Sequence, residues 1–131
     1  MGAVKVDTEK QTRAYEVKYA LNDVAGVKAL LRDRHRIAER RFRGDTAASD
    51  IIIDLHSAIE SAGLTERQAE AIAWVYGRDL TQKTAAAIMG IAQQNVAAAV
   101  DRAAEAIASV FKRWEYGEIT VEFEVDDEEA A

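Results

Sequence analysis

The chain has 131 residues, 49% of them hydrophobic, a formal net charge of −6, and neither cysteine nor proline. That length suits one domain, or a small domain with an appendage, and can hold a core without disulfides or metal. The lack of cysteine excludes a disulfide scaffold and any cysteine-based zinc site. No apolar run approaches the ~20 residues of a membrane span.

The first residues, MGAVKVDTEK, are charged and lack the apolar core of a signal peptide. A soluble, cytoplasmic protein is therefore expected, with no membrane partner. Ala3–Asp7 alternates and reads either as a short strand or as a frayed terminus.

From about Thr12 to Phe42 the pattern reads as helical. Val17, Leu21, Val24, Val27 and Leu31 recur at three- and four-residue spacing and mark one apolar stripe. Gly26 is expected to split or bend that helix. The second half, LLRDRHRIAERRFRG, is basic through Lys28, Arg32, Arg34, Arg36, Arg40, Arg41 and Arg43. Such a helix can lie along phosphates, or be a solvated face paired with acids elsewhere. Charge is unevenly spread. Residues 1–45 carry 11 Lys/Arg against 7 Asp/Glu, residues 65–117 balance at 6 against 6, and residues 118–131 carry 7 acids and no base. Phosphate is recognised by a local basic patch, so the negative total does not exclude nucleic acid.

Gly44–Ser49 reads as a connection. A helix follows to about Ser61, with Ile51, Ile52, Leu55 and Ile59 inward. His56 sits near Asp54 and Glu60, but no convergent further ligand is visible, and neither a metal nor another cofactor is expected. Gly63 is placed to end the helix in the left-handed conformation. Thr65 and Gln68 form a capping box for a helix over Glu66–Tyr76, with Ala69, Ile72, Ala73 and Tyr76 on one face. Gly77 ends it, Leu80 turns inward, and Thr81 caps a short helix from Gln82 to about Met89. After Gly90 and Ile91, a last helix runs from Gln93 to about Trp114. Ala86, Ile88, Ile91, Val96 and Val100 fall where a helix-turn-helix needs apolar or small residues. Beyond Gly117, Ile119, Val121, Phe123 and Val125 alternate with polar residues and predict a strand with an acidic end. A lone strand needs a partner. Val4 and Val6 are one candidate, with Lys5 opposite a glutamate; the same strand of a second subunit is the other.

The block from Leu64 to Ile107 resembles region 4 of bacterial sigma factors. The resemblance rests on Thr65, Tyr76, Gly77, Leu80, Thr81, Gln82, Ala86, Gly90, Ile91 and Val96. It covers about a third of the chain, and the wider block Asp50–Trp114 also resembles phage-encoded sigma-like regulators. It implies a mainly α fold with a helix-turn-helix domain, placed over 46–117; the flanks, read from their own residues as a strand and basic helical extension over 1–45 and an acidic strand tail over 118–131, resemble no family. It further implies a non-catalytic transcription regulator that binds double-stranded DNA, docks on RNA polymerase, or both. A phage DNA-packaging small-terminase-like subunit, forming homo-oligomers, is the alternative. A helix-turn-helix scaffold repurposed for protein contact is another.

The departures from the family pattern fall on function. Relatives cap the recognition helix with Ser or Thr; here Ala92 stands there, at a cost of about 1 kcal/mol. Ala97, Ala98 and Asp101 replace Ser, Arg and a basic residue, and Ala69, Ala73 and Val75 stand where relatives are often basic. The amides Gln93, Gln94 and Asn95 remain as base readers, or as ordinary first-turn polarity. Gln82, Lys83 and Arg102 are the candidate phosphate contacts, joined by Arg36, Arg40, Arg41 and Arg43 of the basic helix. Ala97, Ala98, Ala99, Ala103 and Ala104 suggest a surface that another helix could approach closely.

Overall fold

The computed structural model describes residues 12–41 and 46–126. In chain order these are strand β1 (Thr12–Ala20), helices α1 (Val24–Arg41), α2 (Thr46–Ser61) and α3 (Glu66–Ile72), a π-helical turn (Ala73–Gly77), α4 (Gln82–Met89), α5 (Gln93–Arg113) and strand β2 (Glu118–Asp126). Two units result: a helical body, Tyr19–Ile119, and a strand arm described over residues 12–18 and 120–126.

In the arm, β1 and β2 pair as an antiparallel two-stranded sheet. Among the described residues the strand paired with β2 is Thr12–Ala20, and the expected pairing with Val4 and Val6 falls on Ala3–Asp7, outside the described residues. The expected helix from Thr12 begins only at Val24. The reason is visible in TRAYEVKYA: Tyr15, Val17, Tyr19 and Leu21 alternate, and aromatic and β-branched residues favour a pleated strand. Val17 and Leu21 are also four apart, which is how the same residues satisfy a helical stripe. In β2, buried Val121 and Phe123 flank exposed Glu122, as the alternation requires.

Within the body, α5 is the central element, and α1, α2, α3 and α4 all pack against it. Its buried row is Val96, Ala99, Val100, Ala103, Ala104, Ile107, Ala108, Val110 and Phe111. Four elements can converge on one helix because the alanines let their backbones come near. The expected outward alanine surface is therefore largely spent inside the fold: Ala99, Ala103 and Ala104 are buried, Ala97 is half-buried, and only Ala98 is exposed. Opposite them lie Val27, Leu30, Leu31 and Ile37 of α1, Ile51, Ile52, Leu55 and Ala58 of α2, Ala71 and Ile72 of α3, and Ala85 and Ala86 of α4. Each fully buried Leu, Ile or Val contributes roughly 1.5–3 kcal/mol.

Local signals explain the breaks. Gly26 does not split α1, which runs unbroken over Val24–Arg41. A Cβ there would lie 1.9 Å from the Ala20 carbonyl oxygen, so the glycine lets the helix pass over the end of β1. Thr46–Ser49 belongs to α2 and not to a connection, and Ile59 is half-buried, with Ala58 taking the inward position. Thr65 Oγ1 accepts from the Gln68 N–H, and Gln68 Oε1 accepts from the Thr65 N–H, both at 3.1 Å. The α-helix they start stops at Ile72, short of the expected Tyr76. The Arg78 N–H then donates to the Ala73 carbonyl, five residues back, at 2.9 Å. Ala71 and Ile72 form its buried face, whereas Ala69 and Ala73 are exposed and Tyr76 is half-buried. Thr81 Oγ1 accepts from the Thr84 N–H at 3.1 Å and caps α4. Gly90, at φ +69°, ends it in the left-handed region. Ile88, expected inside, is 49% exposed.

After α5, Phe111 is wedged between Trp114 and Tyr116, edge-on to both, with centroids 5.9 and 5.1 Å away. The Tyr116 hydroxyl donates to Asp54, which ties the exit of α5 to α2. The Leu21 N–H donates to the Gly117 carbonyl at 3.2 Å.

Candidate functional site

α4, the left-handed glycine turn and α5 form a helix-turn-helix, with α3 as its supporting helix. The turn is closed by the Ile91 N–H donating to the Ala86 carbonyl at 3.1 Å. Ala86 is buried at the crossing, where a larger side chain would force α4 and α5 apart. Val96 and Val100 anchor the inner face of α5. Gln93, Gln94 and Asn95 of its first turn are all exposed: Gln94 and Asn95 are turned away from that face, whereas Gln93 is in line with Val96 and Val100 and is exposed because it begins the helix. Ala92 makes no side-chain cap, so the Asn95 N–H turns back onto the Ala92 carbonyl at 2.9 Å.

Beside that tip lies a shallow cleft of about 270 Å³ between the start of α3 and α5. Thr65, Arg67 and Gln68 line one wall, and Asn95, Ala98, Ala99 and Arg102 the other. Arg67 and Arg102 are both exposed. Two arginines lining one cleft can hold an anion there, because each guanidinium offers five N–H donors and no acceptor. The structure thus brings two predicted residues, Asn95 and Arg102, together. It adds Arg67, which sequence reading passed over. Its signal was its place in the first turn of a capped helix, two residues after Thr65, but the opposing Arg102 is far away in sequence.

The other predicted residues lie elsewhere. Gln82 is half-buried and Lys83 exposed, both in the first turn of α4. Arg36 is exposed on α1, Arg40 and Arg41 belong to its last turn, and Arg43 lies outside the described residues. The basic helix is not simply a free cationic face. Lys28 is ion-paired with Asp101 of α5, and the Arg32 Nε lies 3.4 Å from Asp33. Asp33 also accepts the Tyr19 hydroxyl at 2.8 Å. Burial, then that hydrogen bond, pushes the Tyr19 hydroxyl well above the usual tyrosine range. Burial likewise raises Tyr76, against the opposing pull of Lys28 and Arg32. Among the described residues, no cluster of His, Asp or Glu could hold a metal ion, and no helix is long and apolar enough to cross a membrane.

Comparison with known proteins agrees with this geometry. Residues 62–108 match the family model for sigma-70, region 4. The matched segment begins just after α2, ends within α5, and leaves out β1, α1, α2 and β2. No curated protein and no solved structure matches the chain.

Proposed function

Residues 62–108 form a sigma-70 region 4-like helix-turn-helix, and on that premise we propose that the chain is a transcription regulator that binds duplex DNA through the exposed tip of α5. The observation that carries this reading is the placement of three amides, Gln93, Gln94 and Asn95, directly beside the Arg67–Arg102 cleft. Amides pair bidentately with adenine in the major groove and discriminate by about 1–3 kcal/mol per contact. The arginine pair is suited to a backbone phosphate, which fixes register and carries no sequence information. Lys83, in the first turn of α4, is placed to add a second phosphate contact.

Docking on RNA polymerase is compatible with this role, and exposed Ile88 on α4 favours a protein contact on that helix. A scaffold that keeps only a protein partner is less well supported, because the alanines that suggested it are consumed in the core.

The test is to select duplexes from a random pool with the full chain and compare variants on the enriched sequence. Gln93→Ala with Gln94→Ala is expected to abolish the preference for the selected sequence while binding to unrelated duplex persists. Arg67→Ala with Arg102→Ala is expected to weaken every duplex alike and to flatten the salt dependence. A wild-type chain that retains no duplex at low salt would refute the reading.

A further inference from the structure

Asp101 is the residue that least fits a nucleic-acid surface. It lies on the exposed side of α5, beside Arg102, at the level where a groove-bound helix meets phosphates. Successive residues of a helix are turned by about 100°. Asp101 and Arg102 therefore mark opposite edges of the exposed face of α5. The Arg102 edge looks onto α3 and Arg67. The Asp101 edge is met by Lys28 of α1, which forms an ion pair with it. Arg32, one turn further along α1, lies in the same row as Lys28, and its side chain is 68% exposed.

We propose that α1 is the second DNA-contacting flank of α5: Lys28 neutralises Asp101, and Arg32 beside it engages the phosphate backbone on the side away from Arg67 and Arg102. A helix in a major groove has a sugar–phosphate strand on either side, and two cationic edges on one exposed helix face match that arrangement. The inference rests on the duplex-DNA reading above and extends it to an element outside the matched segment. Lys28 is a positioning residue, since its charge is committed to Asp101. Arg32 meets Asp33 through its Nε at 3.4 Å, but its side chain is 68% exposed, and it is the contact.

The experiment measures anisotropy of the full chain on its selected duplex across a ladder of salt concentrations. Lys28→Gln leaves Asp101 bare, and binding at low salt is expected to weaken roughly threefold to tenfold. Asp101→Asn frees Lys28 for a phosphate, so binding tightens and the salt slope steepens. Loss of folding cannot produce that gain. The double variant is expected within about twofold of wild type, because both charges vanish together. Arg32→Gln should make the salt slope shallower by about 0.9, the share of one phosphate. The inference is overturned if wild type binds but Lys28→Gln and Arg32→Gln keep its affinity and slope. It is equally overturned if the double variant is as weak as Lys28→Gln alone. If wild type binds no duplex, the DNA reading itself falls, and this one with it.

Discussion

Gly26→Ala makes a sharp test of how β1 is joined to α1. In an open helix the change would help, since alanine is better than glycine by about 1 kcal/mol. Here the added Cβ would lie 1.9 Å from the Ala20 oxygen, 2.6 Å from its carbonyl carbon and 2.8 Å from its nitrogen. All three are backbone atoms, so no side chain can swing away, and the strand end or the helix must move. Overpacking of this kind costs about 1–3 kcal/mol, and a contact with rigid backbone belongs at the upper end. Subtracting the propensity gain leaves a net loss of about 2 kcal/mol. For a chain of this size that is a fall in Tm of roughly 6–10 °C. Thermal melts followed by circular dichroism would read it. Gly117→Ala is the control, because no atom lies within 4 Å of its built Cβ and its φ is not positive. It should be neutral, or stabilising by up to about 1 kcal/mol. A Gly26→Ala protein at least as stable as wild type would refute the close approach of α1 to Ala20.

Three further outcomes are expected. Ala92→Ser supplies the missing cap of α5 and should raise stability by about 1 kcal/mol, read as a higher denaturant midpoint with an unchanged m-value. Tyr116→Phe removes the hydroxyl that donates to Asp54 and should cost about 1–2 kcal/mol in the same assay. The raised pKa of Tyr19 sets an alkaline limit. Its folded value lies above its unfolded value near 10, so its contribution is complete below that pH and is lost as pH rises further. Tyr76 shifts in the same direction. Stability should therefore decline above about pH 10, and tyrosinate absorbance should show late-titrating hydroxyls. Tyr19→Phe should make the decline less steep.

The helix-turn-helix was legible in sequence because its signals are local. The Thr65–Gln68 box, the Thr81 cap, Gly90 and the spacing of Val96 and Val100 each lie within a few residues of what they control. The opening of the chain was misread because Val17 and Leu21 fit both a helical stripe and a strand alternation, and only pairing with β2 decides between them. The alanines of α5 misled in the opposite direction. Small residues signal close approach but do not say which helix approaches, and here it is the chain's own. The candidate site divides in the same way. The exposure of Gln94 and Asn95 follows from helix phase and that of Gln93 from its place at the helix start, whereas Arg67 across from Arg102 and Lys28 holding Asp101 join residues remote in sequence. No spacing rule reports such pairs.

The pairing of β1 with β2 has a consequence for the chain during synthesis. Among the described elements β1 is made first and β2 last. The helices between them pack against α5, the last of them, so the body closes once α5 has emerged from the ribosome. Until β2 is complete, β1 lacks its partner among the described strands. Each nascent chain thus carries an unsatisfied strand edge, rich in Tyr15, Val17 and Tyr19, on an otherwise folded body. Such an edge can recruit the same strand of a neighbouring chain. Slow translation, or a stall before Glu118, would lengthen the interval in which two newborn copies can exchange strands.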